Sequence, residues 1–197
     1  NTEVAAVNAL HARLQGVDCY NLPAPTQGVH SLQIIAIVEQ LKQQATNPAD
    51  WVHLIVEATK QSFAQRPHLW GDPNSVTKEY QEALTTATIK QLASKVSMQH
   101  AQPWPFDSQP GDTVWMAARD ERGQMVSFIQ SIYWEFGSGI AMSEGGFVWN
   151  NRGLSFDLNP TTINALGAHK KPAHTLNPAL AKYDDGRRLA YGTMGGE

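Results

Sequence analysis

The sequence predicts an α+β fold with a helical first half and a strand-rich second half. Three observations carry this prediction. Before residue 100, apolar residues recur at helical spacing in several segments. From Thr113 onward the pattern changes to short apolar runs separated by Gly- and Asp-containing turns, which is typical of hairpins. The chain has 197 residues, of which 42% are hydrophobic and 17% charged, and this suits a globular protein with a core.

In the first half we expect helices joined by short loops. Near the N-terminus, apolar residues at helical spacing predict a first helix that ends near Gly16. Pro23 to Gly28 is expected to be a loop, and residues 71–74 a turn. The first helix is predicted from the spacing of Val4, Val7, Leu10 and Leu14. Further helices are expected at residues 31–44 and 48–66, and one or two more within residues 75–98.

In the second half we expect two main hairpins. Residues 113–119 and 124–133 are predicted strands that turn at Gly123. Residues 175–183 and 188–191 are predicted to form a second pair, turning at Gly186. Shorter strands are expected at residues 140–142 and 146–149, and a loop-rich segment at residues 150–171.

Composition excludes several classes of site. The formal net charge of −3 gives no reason to expect a nucleic-acid partner. The single cysteine, Cys19, excludes an internal disulfide framework and a Cys-rich metal site, and the seven histidines lack metal-ligand spacing. No apolar run reaches the roughly 20 residues that a membrane span needs. We therefore expect no metal, no other cofactor and no membrane span in this stretch.

Thr113 is the most informative residue, because it stands at the start of a predicted strand directly after a loop rich in Pro, Asp and Gly. A threonine in this place suits a chain that cleaves itself before Thr113. The hydroxyl would then be a nucleophile, and the freed α-amine would be the base that activates it. The alternative is a structural threonine that only serves the strand.

The surrounding residues resemble the γ-glutamyltranspeptidase family of N-terminal-nucleophile hydrolases. Asp112-Thr113 stands at the family's cleavage site, and Asp120, Gly123 and the run Phe136-Gly137-Ser138-Gly139 follow at the family's spacing. The resemblance continues in order over nearly the whole chain. Its other parts are residues 22–28, residues 57–60, residues 63–66, residues 69–73, Gly146, Asn150-Asn151 and Gly195-Gly196.

The resemblance implies a place for this chain in a larger enzyme. Residues 1–112 would be the C-terminal part of a large subunit, and residues 113–197 the N-terminal part of a small subunit. Both would belong to one incomplete α-β-β-α sandwich, with the rest of the two subunits as partners. We expect a piece of a longer protein, since the chain begins at Asn1 and ends within the glycine motif.

The resemblance also implies catalytic residues. Cleavage would fall between Asp112 and Thr113. Ser131 stands where the family has a threonine that hydrogen-bonds the nucleophile, although a solvent-facing strand serine is the alternative. The backbone N–H groups of Gly195 and Gly196 would form an oxyanion hole, although Gly-Gly is also a common turn dipeptide.

The residues that would hold the substrate depart from the family pattern. Tyr133, Arg152 and Ser155 stand where γ-glutamyl enzymes have Asn, Gln and Asp, and His174-Thr175 replaces a Ser-Ser pair. A site without the acidic residue pairs poorly with an α-ammonium group, whereas Arg152 can pair with a carboxylate. We therefore expect a carboxylate-bearing acyl group without a neighbouring ammonium, such as glutaryl rather than γ-glutamyl. The run Asn150-Asn151-Arg152-Gly153 with Phe156 resembles the family's acylase-type members more closely.

These observations lead to two hypotheses. The first is an N-terminal-threonine amide hydrolase or acyltransferase, made as an inactive precursor and acting on a small γ-glutamyl or related acyl amide. The second is a catalytically silent family member that serves as a binding or structural module. By itself this stretch is expected to be inactive, because the amine of Thr113 is tied up in a peptide bond.

Overall fold

The computed structural model describes residues 6–76, 79–105 and 113–194. Its largest sheet has four antiparallel strands in the order β1-β2-β7-β8. These strands are β1 (Leu10–Leu14), β2 (Val17–Asn21), β7 (Ala179–Tyr183) and β8 (Arg188–Tyr191). The pairing of β2 with β7 joins a strand that precedes Thr113 to one that follows it, so both halves of the chain share one sheet.

The predicted N-terminal helix is wrong, because β1 and β2 form a hairpin there. Leu10 and Leu14 are four residues apart, a spacing that also fits a strand, and the buried Ala12 between them completes a period of two. Gly16 has a φ of 79°, which allows the tight turn between the strands. Val7 is exposed, and Val4 lies outside the described residues.

The next two predicted helices are confirmed with shifted ends. The first is α1 (Gly28–Leu41), followed by a 3₁₀ turn, and the second is α2 (Pro48–Phe63). At the start of α2, the side chain of Asn47 accepts hydrogen bonds from the amides of Ala49 (2.9 Å) and Asp50 (3.1 Å). Two further helices are α3 (Arg66–Leu69) and α4 (Thr86–Ala93), the second of which falls within the predicted residues 75–98.

The core lies on both sides of α1. Toward the sheet, Val29 and Leu32 of α1 pack against Leu10, Cys19 and Ala181. On the other side α1 packs against α2 and α4, with residues Ala36, Ile37, Ala58, Ile89 and Leu92. Helices therefore cover one face of this antiparallel sheet, and the chain has the α+β architecture that the sequence predicts.

The hairpin that begins at Thr113 is confirmed. Its strands are β3 (Val114–Arg119) and β4 (Met125–Gln130), and Gly123 in the turn has a φ of 80°. Ser127 connects this hairpin to the large sheet, since its hydroxyl accepts from Trp115 Nε1 (3.0 Å) and donates to the carbonyl of Tyr191 (3.4 Å). The short strands β5 (Ala141–Met142) and β6 (Phe147–Val148) form a separate pair.

Candidate active site

The β3–β4 register brings Thr113 and Ser131 to the same end of the hairpin. Val114 pairs with Gln130, so Thr113 and Ser131 are the next residues outward on the two strands, at the end opposite the Gly123 turn. Both line a cleft of about 360 Å³. The proposed nucleophile and its proposed hydroxyl partner therefore face one space.

Directly after Ser131 the chain bends sharply. The Ser131 hydroxyl accepts a hydrogen bond from the amide of Tyr133 at 2.9 Å. Tyr133 has a φ of 83°, a left-handed conformation that costs a non-glycine residue about 1–2 kcal/mol. This bend places the Tyr133 ring against Arg152, whose guanidinium carbon is 4.1 Å from the ring centroid. This cation–π contact stabilises the Arg152 guanidinium and holds it on the face of the Tyr133 ring.

Arg152 is held at the start of a 3₁₀ helix, Arg152–Ser155. The backbone amide of Arg152 donates to the side chain of Asn150 at 2.9 Å, and the amide of Asn151 donates to the carbonyl of Ile132 at 3.3 Å. The first bond is local to the start of the helix, and the second connects the helix to the segment that follows β4. Arg152 is only 8% exposed, so its charge lies in a place where solvent screens it little.

The charge of Arg152 acts on the His174 imidazole, so the two side chains lie within electrostatic range of each other. Burial, and then the nearby guanidinium, lower the pKa of His174 to about 4, so the imidazole is neutral at neutral pH. Its Nδ1 is buried and makes no hydrogen bond to any residue that the structure describes. Next to it, the carbonyl of Thr175 accepts hydrogen bonds from Gln27 and Asn177. A neutral imidazole within electrostatic range of a buried guanidinium is suited to bind an anionic group.

The remaining predicted residues are not brought together in this way. Ser155 lies three residues after Arg152 in the same 3₁₀ helix, and its hydroxyl is buried without a hydrogen-bond partner among residues 6–76, 79–105 and 113–194. No hydrogen bond within those ranges joins it to the Thr113 cleft. Asp112, Gly195 and Gly196 lie outside the described residues. The cleavage site and the oxyanion hole therefore stay predictions.

Three residues near His174 were not predicted to contribute to the site. Trp70 and Gln27 donate to the carbonyls of His174 and Thr175, and the buried Arg66 contacts both Trp70 and Gln27. One signal was available in the sequence. Arg66 has aromatic residues three before and four after it, Phe63 and Trp70, a spacing that places rings beside a cation on helical backbone.

In the part of the chain that the structure describes, no group of three or more His, Cys, Asp and Glu side chains could hold a metal ion. No helix there is both long and apolar enough to cross a bilayer. The described residues that form the candidate site are Thr113, Ser131, Tyr133, Arg152 and His174.

Curated proteins with similar sequences are hydrolases made as proenzymes. The chain is 47% identical over 178 residues to the oxamate amidohydrolase proenzyme of Klebsiella pneumoniae, covering 90% of this chain and 34% of that protein. It is 34% identical to the glutathione hydrolase-like YwrD proenzyme of Bacillus subtilis, over 93% of this chain and 35% of that protein. The glutathione hydrolase proenzyme of Escherichia coli is 27% identical over 92% of this chain and 35% of its own length. The chain thus spans about a third of the length of these relatives.

A solved structure agrees with these sequence similarities. The cephalosporin acylase from Bacillus halodurans superimposes with a TM-score of 0.80 at 28% identity, covering 91% of this chain and 33% of the acylase. This confirms the expected likeness to acylase-type members. The family profile described as gamma-glutamyltranspeptidase matches residues 1–197, which is the whole chain. The chain therefore belongs to the γ-glutamyltranspeptidase family, as the motifs around Thr113 predicted.

Proposed function

We propose that the full-length protein is an amide hydrolase that matures by cleavage before Thr113 and then uses the Thr113 hydroxyl as its nucleophile. The observation that carries this proposal is the position of Thr113 and Ser131 on one cleft at the open end of the hairpin. The proenzyme names of the relatives support maturation by cleavage.

Maturation would use the hydroxyl of Thr113 against its own chain. Thr113 Oγ attacks the carbonyl carbon of Asp112, and the peptide bond is replaced by an ester as the acyl group moves from nitrogen to oxygen. Water then hydrolyses this ester. The products are a carboxylate on Asp112, a restored hydroxyl on Thr113 and a new α-amine, which can serve as the catalytic base.

Amide hydrolysis would repeat this chemistry on a substrate. Thr113 Oγ attacks the amide carbonyl, the α-amine takes the hydroxyl proton, and the proton passes to the departing amine. Water releases the acyl group from Thr113, or an amine acceptor takes it in a transfer reaction. Because Ser131 Oγ accepts from the Tyr133 amide, its own O–H can point elsewhere, and we assign it to Thr113. Gly195 and Gly196 are the proposed donors to the oxyanion.

Arg152 and His174 suggest the class of acyl group. A buried guanidinium beside a neutral imidazole can bind a carboxylate through charge-assisted hydrogen bonds. Ser155 supplies no charge to balance an ammonium group. We propose a small amide that carries a carboxylate and no neighbouring ammonium. Oxamate has this chemistry, and the relative named for it is 47% identical, so oxamate is the first substrate to test.

The two products of cleavage would remain joined. Residues up to 112 would supply β1 and β2, and residues from 113 would supply β7 and β8 of the same sheet. The antiparallel pairing of β2 with β7 crosses this boundary over four residue pairs, from Val17–Tyr183 to Tyr20–Leu180. We therefore propose that residues 1–112 and 113–197 are parts of two subunits that share one domain.

Mass spectrometry and amidase assays of the full-length protein test this proposal. Wild type should yield two fragments, one with Thr113 as its N-terminus. Thr113→Ala should give one intact, inactive chain, because one hydroxyl serves both steps, while Thr113→Ser should keep part of both activities. Thr161→Ala, which removes an exposed loop hydroxyl, is the matched control and should behave as wild type.

Two outcomes would count against the assignment. Splitting of Thr113→Ala before residue 113 would exclude this hydroxyl as the nucleophile. An uncleaved, inactive wild type would favour the silent binding module, which the replacement of the family's substrate-holding residues by Tyr133, Arg152 and Ser155 already suggests.

A further inference from the structure

Two consecutive carbonyl groups beside the proposed substrate site are held by side chains from the helical half. Trp70 Nε1 donates to the carbonyl of His174 at 3.0 Å. Gln27 Nε2 donates to the carbonyl of Thr175 at 3.4 Å. Both donors precede Thr113 in the sequence, whereas both acceptors follow it. The position of His174 therefore depends on residues far from it in the chain.

Arg66 stands behind both donors. Its Nη2 donates to Gln27 Oε1 at 2.6 Å, which holds the amide with its Nε2 toward Thr175. Its guanidinium carbon is 4.5 Å from the Trp70 ring centroid and 3.7 Å from that of Phe63. Arg66 is 6% exposed, so these contacts are little weakened by solvent. One planar cation thus orients two separate donors.

Further hydrogen bonds fasten the same backbone segment. The amide of His174 donates to the carbonyl of Pro25 at 3.0 Å. The carbonyl of Thr175 also accepts from Asn177 Nδ2 at 2.8 Å, and Asn177 Oδ1 accepts from Ser31 Oγ at 2.9 Å. The segment would stay attached if the Trp70 N–H were removed, but the His174 carbonyl would lose the side-chain donor that orients it.

We propose that Arg66 is a positioning residue that, acting through Gln27 and Trp70, fixes the His174–Thr175 backbone so that the His174 imidazole stays beside Arg152. This inference rests on the proposed function, since it assumes that Arg152 and His174 bind the acyl group. In this role Arg66 acts through the side chains of Gln27 and Trp70. Loss of these contacts should weaken substrate binding and leave the Thr113 chemistry intact. Thr113 and Ser131 lie at the end of the β3–β4 hairpin, which does not include residues 174–175.

The sharpest test is Trp70→Phe in the full-length protein. Phenylalanine keeps an aromatic ring over Arg66 but lacks the N–H that reaches His174. We expect KM for oxamate to rise about 2- to 12-fold, the effect of one net hydrogen bond, with kcat changed less than twofold and cleavage before Thr113 complete. Arg66→Lys, which keeps the charge but loses the planar fork, should have the same effect. Trp51→Phe, at a partly exposed position of α2, is the matched control.

A second measurement separates positioning from general loss of stability. In each folded variant, NMR titration of ¹³C-labelled histidine gives the pKa of His174. Movement of the imidazole away from burial and from Arg152 should raise that pKa from about 4 toward its usual value near 6.5. A variant that is merely less stable would keep the wild-type value while folded.

The outcomes are distinct. Wild-type KM and wild-type His174 pKa in both Trp70→Phe and Arg66→Lys would overturn the inference. So would a loss of kcat together with incomplete cleavage, since that would mean a general structural role. If Arg66→Lys does not fold, Trp70→Phe still decides the question. Failure of the proposed function would be seen instead as an absence of oxamate turnover in wild type, and the His174 pKa can still be measured in a Thr113→Ala background.

Discussion

Replacing Arg152 by Met should remove the selectivity for carboxylate-bearing amides. Methionine keeps an unbranched chain that can lie against the Tyr133 ring, but it has neither charge nor donors. Arg152 is 8% exposed and its guanidinium is 4.1 Å from that ring, so the cation is well placed and poorly screened. The variant therefore tests the charge and the donors with little change in shape.

The expected loss follows from the strength of one charge-assisted interaction. A hydrogen bond to a charged group contributes about 1.5–3 kcal/mol, which corresponds to about 10- to 150-fold in binding. We expect kcat/KM for oxamate to fall by this factor. Arg152→Lys should fall less, since it keeps the charge and loses only the bidentate geometry.

The assay compares oxamate with oxamide, in which a neutral carboxamide replaces the carboxylate. Turnover of oxamide should change less than about threefold in Arg152→Met, because no charge on this substrate needs pairing. Mass spectrometry of the same samples shows whether cleavage before Thr113 is complete. Equal losses on both substrates, with complete cleavage, would refute the assignment of Arg152 to the carboxylate.

The same variant has an effect on His174 that can be measured independently. Burial is the larger cause of the lowered pKa of His174, and Arg152 is the smaller one. Removal of the guanidinium should therefore raise this pKa only part of the way from about 4 toward its usual value. A pKa that does not move would show that the two side chains are too far apart to share one anion.

Two further predictions concern stability. His30 is fully buried, and burial, then the charge of Arg66, lower its pKa to about 3. As the pH falls, the unfolded chain therefore binds a proton on His30 before the folded chain does. Stability should fall as the pH drops from about 6.5 to 3, by up to about 1.4 kcal/mol per pH unit. Urea midpoints at pH 7, 5.5 and 4.5 measure this, and His30→Asn should have a shallower pH dependence; an unchanged slope would contradict it. Lys60→Met should lower the free energy of unfolding by about 3–5 kcal/mol, because it leaves the buried Glu57 carboxylate without its ammonium partner at 2.6 Å. Adding Glu57→Leu should restore most of that loss. Additive losses from the two changes, in the same urea experiment, would contradict this prediction.

Local patterns predicted local structure well. The hairpin from Thr113 follows from short apolar runs and from the turn at Gly123. The helices α1 and α2 follow from apolar spacing, and α2 begins at Pro48 as predicted. In each case the side chains that decide the structure are near neighbours in sequence, so their spacing carries the information. Family membership was visible for a related reason, since the motifs around Thr113 occur in a recognisable order.

Long-range contacts were not visible in the same way. The sequence predicts a helix where the structure has the N-terminal hairpin, because the spacing of Leu10 and Leu14 fits both a helix and a strand. The strand is stabilised by the pairing of β2 with β7, whose residues are distant in sequence. The bend at Tyr133 is also unpredicted, since a left-handed tyrosine persists only where surrounding contacts hold it.

The family, the hairpin that begins at Thr113, and the residue types available for catalysis and binding can all be read from the sequence. Which of these residues meet depends on how the chain folds. Folding brought Arg152 beside Tyr133 and His174, and it set Arg66, Gln27 and Trp70 behind the His174–Thr175 backbone. The physical reason is that burial and charge depend on distance in space. The lowered pKa of His174 arises only when folding removes water and places a guanidinium nearby.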